Sequence, residues 1–168
     1  MVNRVLWLRE AWLTTLLLSA GLAAASEVRH TLSFPKDREQ TILVSSEFPV
    51  SNTVTDLVMP NWTPGSYLIR DFSANVNRIS VFNGSGTALD VKKVSKDRGR
   101  VETGQIDRLV VRYEVYTPVL GVQASWASRA FSIVNGASVF LYTEDTRQLP
   151  QILDVVAGAD RGESFTAM

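Results

Sequence analysis

The sequence contains no cysteine and only one histidine among its 168 residues. Without cysteine there is no disulfide framework, no thiolate metal site and no cysteine nucleophile. A single histidine excludes from this chain any site that needs two imidazoles. The sequence also lacks an H-E-x-x-H helix motif, a G-x-S-x-G nucleophile elbow and a glycine-rich phosphate loop. A serine triad would depend on His30 alone, and we expect His30 to be a partly exposed strand residue instead.

An excess of charge of either sign is also missing. The chain has 17 basic and 17 acidic side chains and a pI near 6.6, so no nucleic-acid partner is expected. Five of the basic residues form the one basic cluster of the sequence, at Lys92, Lys93, Lys96, Arg98 and Arg100. This cluster contains Asp97 and has no interleaved aromatic side chain, which favours the solvated end of a hairpin. With 45% hydrophobic and 20% charged residues, the composition is that of a globular protein.

The first 25 residues have the three parts of a secretory signal peptide. Arg4 and Arg9 form a basic start, residues 11–22 are an apolar run, and residues 23–25 are three alanines. The run is shorter than the roughly 20 apolar residues that span a bilayer. We therefore predict a helical signal peptide over residues 1–25 and an exported protein, periplasmic or secreted, with no membrane span after cleavage. Retention as an uncleaved anchor is the alternative.

After residue 26 the apolar pattern has a period of two residues. Leu109, Val111, Tyr113 and Val115 alternate with more polar neighbours, which is typical of a half-buried strand. Similar runs rich in β-branched and aromatic residues occur at 28–34, 41–47, 53–59, 76–82, 88–94 and 137–143. Asn83-Gly84 predicts a hairpin, and residues 97–99 and 135–136 predict two further reversals. We predict an all-β fold over residues 26–156, an antiparallel β-sandwich of about seven to nine short strands.

Residues 59–72 (MPNWTPGSYLIRDF) interrupt this pattern. Two prolines flank a tryptophan and break the strand, and the Pro-Gly pair predicts a type II turn with a positive φ at the glycine. One interpretation is a packed corner, in which the tryptophan caps the sandwich and the arginine pairs with a carboxylate. The other is a rigid aromatic corner presented to a neighbouring domain or a ligand. The candidate residues of this corner are Trp62, Pro64, Gly65, Tyr67, Arg70 and Asp71.

The run from Trp62 to Phe72 closely resembles the signature in the N-terminal domain of the glycyl aminopeptidase family of zinc metallopeptidases. This is metallopeptidase family sixty-one, whose members often carry a PDZ domain. Residues 111–116 (VRYEVY) resemble the tyrosine-rich strand of the family, and residues 135–141 (NGASVFL) resemble its Asn-Gly turn and the strand that follows. The three stretches occur in the expected order, and the resemblance covers about residues 28–153.

The resemblance implies a non-catalytic domain. Family members place this all-β domain before a thermolysin-like catalytic domain that binds zinc, and none of the catalytic or metal positions of that domain has a counterpart here. The resemblance therefore implies no cofactor in this chain and no catalytic residue. It implies a metallopeptidase catalytic domain as partner, in cis or in trans. In the wider group of thermolysin-like aminopeptidases, such a β-domain helps to shape the site for the amino terminus of the substrate.

Residues 157–168 (AGADRGESFTAM) are small, polar and without a pattern, and we predict an unstructured tail. We expect a truncated family member that lacks the catalytic domain. The alternatives are a stand-alone secreted module that binds a peptide or glycan, and an aminopeptidase subunit that acts in trans. In none of these is the chain expected to hydrolyse peptides alone, because polarising the scissile carbonyl and activating water requires a metal or an equivalent nucleophile and base.

Overall fold

The computed structural model describes residues 26–156, so the predicted signal peptide (1–25) and the predicted tail (157–168) lie outside the described residues. The described chain consists of strands joined by turns and short 3-10 helices, which confirms the all-β fold class. The strands are β1 (Val28–Ser33), β2 (Thr41–Pro49), β3 (Val54–Val58), β4 (Val76–Asn83), β5 (Ala88–Leu89), β6 (Val91–Lys93), β7 (Arg98–Glu102), β8 (Arg108–Tyr116), β9 (Trp126–Ala127), β10 (Ser132–Ile133) and β11 (Gln151–Val156). The 3-10 helices are Phe72–Asn75, Gly136–Ser138 and Glu144–Thr146. Within residues 26–156, no helix has the length and apolar character needed to cross a membrane.

The largest sheet has six strands in the order β11-β1-β2-β8-β4-β5. Strands β2 and β8 run antiparallel along their whole length, with Thr41 opposite Tyr116 and Pro49 opposite Arg108. The predicted alternation is confirmed in β8, because Leu109, Val111, Tyr113 and Val115 are all buried. One edge differs from the prediction of an antiparallel sheet: β11 joins β1 in parallel, with Val28 opposite Gln151. Parallel strands cannot be joined by a hairpin, and here residues 34–150, most of the described fold, connect β1 to β11.

A three-stranded sheet (β3-β7-β6) and a two-stranded sheet (β9-β10) complete the described fold. Buried side chains from the two larger sheets form one core with Ala127, Val139 and Leu141. The predicted solvated basic cluster is partly structural, because two of its members bind the same carboxylate. Arg100 Nε lies 2.7 Å from Asp56 Oδ1 and Arg98 Nη1 lies 3.1 Å from Asp56 Oδ2. These bonds across β3 and β7 lower the pKa of Asp56 to about 2.

Several element predictions need correction. The predicted strand at 137–143 is a 3-10 turn over Gly136–Ser138, followed by a single bridge between Tyr142 and Val58. The run at 88–94 is divided at Asp90 into β5 and β6. The reversal expected at 97–99 lies just before Arg98, whose carbonyl accepts from the amides of residues 94 and 95. Eleven strands are described rather than the seven to nine predicted, because β7, β9, β10 and β11 are short or lack a period-two pattern.

Candidate functional site

The turn at Pro64-Gly65 forms as predicted. The amide of Ser66 donates to the carbonyl of Thr63 at 3.1 Å, and Gly65 has a φ of +83°. These are the hydrogen bond and the backbone conformation of a type II turn with proline and glycine at its centre. Trp62 Nε1 also donates to the carbonyl of Ser66 at 2.8 Å, which holds the indole against the turn.

We expect Gly65→Ala to lower the free energy of unfolding by about 1 kcal/mol or more, because an L side chain is strained at positive φ. An added Cβ would meet no atom within 4 Å, so backbone strain is the cause rather than a clash. The matched control is Gly121→Ala, which also has open space but no positive φ. Urea unfolding measures both, and equal midpoints for the two variants would contradict the turn.

The segment that follows the turn is exposed and largely apolar. Tyr67 is fully exposed, and Leu68 and Ile69 are 62% and 69% exposed. Trp62, which precedes the turn, is 47% exposed. The segment is anchored at its end by Phe72, which is buried in the core. The packed-corner interpretation requires Trp62 to cap the core. Instead, Phe72 is the side chain of this segment that enters the core, and Trp62 is not part of it.

A second loop, which the sequence analysis missed, lies beside this segment. Arg70 Nη2 donates to Gln123 Oε1, which joins the segment to the loop between β8 and β9. This loop has exposed apolar side chains at Val119, Leu120 and Val122. We name the six side chains of Tyr67, Leu68, Ile69, Val119, Leu120 and Val122 the two-loop apolar surface. Single exposed apolar residues are common on proteins, whereas groups of them mark interaction sites.

The two charged candidate residues do not pair with each other. Asp71 Oδ1 accepts from Ser73 Oγ at 3.0 Å and lies 3.5 Å from Lys96 Nζ. Arg70 has no carboxylate partner among residues 26–156, and its Nε is enclosed without an acceptor. Thr63 Oγ1 is also buried and unpaired, so two of the three such side-chain atoms in the described chain lie in this corner.

A cavity of about 460 Å³ opens beside Trp62. Its walls are Phe48, Pro60, Asn61, Trp62, Ala137, Tyr142, Thr146, Arg147 and Gln151. The guanidinium of Arg147 lies 5.4 Å from the ring centroid of Tyr142 and donates to Glu144 Oε2 at 3.0 Å. The volume is within the range of small-molecule sites. Sequence analysis missed this cavity because its walls come from segments that are distant along the chain.

His30 lies behind this cavity and is buried, so the expectation of a partly exposed histidine is wrong. Its Nδ1 lies 2.8 Å from Ser46 Oγ, and its Nε2 lies 3.2 Å from Oε1 of the cavity residue Gln151. The ring centroid is 4.4 Å from that of Phe140. Burial lowers the pKa of His30 below its ordinary value of 6.5, and the hydrogen bond with Gln151 opposes this shift.

The stability of the fold is expected to fall as the pH drops below about 6.5. The unfolded chain then binds a proton at His30, whereas the folded chain, with its lowered pKa, does not. The contribution of His30 to stability is full above its pKa in the unfolded chain and is lost as the pH falls through its pKa in the folded chain. Asp56 changes the stability only at lower pH, because its pKa in the unfolded chain is near 3.8. NMR titration of this single histidine checks the shift, and a midpoint at or above 6.5 would contradict it.

The described residues do not form a metal site. Zinc is implied for the catalytic domain of the resembled family, but nowhere in residues 26–156 do three His, Cys, Asp or Glu side chains group closely enough to hold a metal ion. No catalytic step can therefore be assigned to zinc on these residues.

Fold and site together define an all-β domain with an exposed aromatic turn. The chain belongs to the family described as the peptidase M61 N-terminal domain, which matches residues 29–167. The match includes most of the segment predicted as a tail, and it confirms the resemblance to metallopeptidase family sixty-one. The chain is also similar to the crystal structure of an aminopeptidase N family protein from Idiomarina loihiensis, with a TM-score of 0.72 and 29% identity. That similarity covers 79% of this chain and 22% of the Idiomarina protein, so the chain spans about a fifth of its length. No curated protein matches the chain.

Proposed function

We propose that this chain is an exported, non-catalytic β-domain that packs against the catalytic domain of a family-sixty-one metallopeptidase. The zinc would be bound by that catalytic domain, present in cis in a complete protein or supplied in trans to a truncated one. The main support is the two-loop apolar surface. Covering it would remove apolar area from water, which is worth about 25 cal/mol per Å² before the costs of association.

The candidate residues have separate roles in this proposal. Pro64 and Gly65 set the turn, Trp62 stiffens it through its bond to Ser66, and Tyr67 projects fully into solvent. A surface held by such fixed turns loses little conformational entropy on docking, and this preorganisation favours binding.

The proposal is tested by mixing the 168-residue chain with the part of the Idiomarina protein that lies outside the matched fifth. We expect binding by calorimetry, and at least about tenfold weaker binding for the Leu68→Ser/Ile69→Ser double variant, since apolar anchors near an interface centre carry most of its energy. The control is Leu153→Ser/Val156→Ser on β11, which removes two comparably exposed apolar side chains outside either loop. No binding by the unsubstituted chain, or equal binding by both double variants, would overturn the proposal.

A second candidate function is peptide or glycan binding at the Trp62 cavity. The half-exposed indole on the cavity wall favours it, because aromatic faces pack on apolar groups of such ligands. Replacing Trp7, Trp12 and Trp126 by phenylalanine leaves Trp62 as the only tryptophan. Titration of this variant with a glycine-initiated tetrapeptide or an N-acetylglucosamine oligomer should give saturable quenching if the cavity binds that ligand. Unchanged fluorescence with both would reject this function.

A further inference from the structure

We infer that Arg70 is an ion-pair anchor, and that the peptidase part docking on the two-loop apolar surface supplies a carboxylate to it. This inference rests on the proposed function and adds the chemistry of the partner. It names Arg70 as a positioning residue at an interface and gives it no part in the chemistry of peptide hydrolysis.

The first argument is the contrast between Arg70 and the other arginines. Between residues 26 and 156 there are ten arginines, and eight of them lie within 4.0 Å of a carboxylate. Of the other two, Arg112 lies over the ring of Phe82, with 5.3 Å between the guanidinium carbon and the ring centroid. The side chain of Arg70 has only the neutral amide of Gln123 as a hydrogen-bond partner among residues 26–156.

The second argument is burial. The side chain of Arg70 is half-buried, and its Nε is enclosed with no acceptor among the described residues. Removing part of a cation from water without a counter-charge is unfavourable, and pairing with a carboxylate compensates for it. The neighbouring Asp71 does not do so, because it is engaged by Ser73 and Lys96.

The third argument is position. Ile69 precedes Arg70 in the chain, and Val122 precedes its partner Gln123, so the hydrogen bond joins the two halves of the apolar surface. Arginine surrounded by apolar side chains is a common arrangement at the centre of a protein interface, where surrounding contacts exclude water. The planar guanidinium can bind a carboxylate through two parallel hydrogen bonds, and Nη1 of Arg70 has no bond to a described residue.

The test uses the same mixture of the 168-residue chain and the unmatched part of the Idiomarina protein. Arg70→Gln should weaken binding at least about tenfold, the effect expected when one member of a buried charge pair is removed. The matched control Arg112→Gln also removes one positive charge that has no carboxylate partner within the described part of the chain, and it should change the affinity less than about twofold. Arg70→Lys keeps the charge and should recover part of the loss.

Lowering the pH from 7 to 4 provides a second measurement, made on the unsubstituted chain while circular dichroism shows that it remains folded at each pH. The affinity of the unsubstituted chain should fall about two- to threefold, because a free carboxylate with a pKa near 4 is about half protonated at pH 4, and Arg70→Gln should show a smaller fall. Wild-type affinity for Arg70→Gln, or no pH dependence in the unsubstituted chain, would overturn the inference. If Leu68→Ser/Ile69→Ser still weakens binding, only the inference about Arg70 fails. If that double variant also binds normally, the proposed function fails with it.

Discussion

Phe48→Ala is expected to lower the free energy of unfolding by about 3–5 kcal/mol, the range for truncating a buried phenylalanine. Phe48 is 1% exposed near the end of β2, and its ring meets that of His30 edge-on at 6.0 Å between centroids. It also forms part of the wall of the cavity beside Trp62. Truncation would enlarge an existing cavity, which neighbouring side chains do not fill. The loss of unfolding free energy should therefore lie in the upper half of this range.

Urea unfolding followed by circular dichroism measures this loss, and Phe131→Ala is the matched control. Phe131 is 47% exposed in the turn between β9 and β10, so the same truncation should cost less than about 1 kcal/mol. Total stabilities of small domains are about 5–15 kcal/mol, so Phe48→Ala should bring the chain close to its unfolding threshold. A loss equal to that of Phe131→Ala would contradict the position of Phe48 in the core.

The central sheet could be predicted from sequence because burial and the two-residue period coincide there. In β2, Ile42, Val44, Ser46 and Phe48 face inward and their neighbours are only partly buried. Buried Ser46 is the one polar member of the inward set. The Asn83 turn was predictable for a local reason as well, since its Oδ1 accepts from the amides of Ser85 and Thr87. Such signals depend on residues that are close in sequence, so they can be recognised before the fold is known.

The partners of β11 and of residues 137–143 could not be predicted, because long-range contacts determine both. β11 is an edge strand that pairs in parallel with β1, although residues 34–150 separate the two strands in the chain. Residues 137–143 alternate like a strand, yet their backbone groups bond to Val58 and to the hydroxyl of Tyr113. Pattern alone cannot distinguish a paired strand from an irregular segment that is buried to the same extent.

Half of the candidate site was visible in the sequence. The turn at Pro64 and Gly65 follows from the fixed φ of proline and the positive φ available to glycine, and it formed as expected. The loop with Val119, Leu120 and Val122 had no such signal. Its place beside Arg70 depends on a hydrogen bond between residues 53 positions apart. The cavity was hidden for the same reason, since its lining extends from Phe48 to Gln151.

Tyr113→Phe is expected to destabilise the fold by about 2–4 kcal/mol, because one hydroxyl satisfies two backbone groups. Tyr113 Oη donates to the carbonyl of Val139 at 2.9 Å and accepts from the amide of Leu141 at 3.0 Å. Each buried polar group left without a partner costs about 1–3 kcal/mol. Burial also raises the pKa of Tyr113 to about 12, so the hydroxyl remains protonated throughout the pH range of folding.

The same hydrogen bonds explain how an irregular segment can be part of the core, since the Tyr113 hydroxyl ties residues 139–141 to β8. Tyr116→Phe on the same strand is the matched control. Tyr116 is 46% exposed, and its hydroxyl makes a long 3.4 Å hydrogen bond to Gln40 Oε1, so loss of this hydroxyl should cost less than about 0.5 kcal/mol. Amide exchange at Leu141 provides a local readout: it should accelerate in Tyr113→Phe and remain slow in Tyr116→Phe. Unchanged protection at Leu141 in Tyr113→Phe would show that the hydroxyl does not hold this segment.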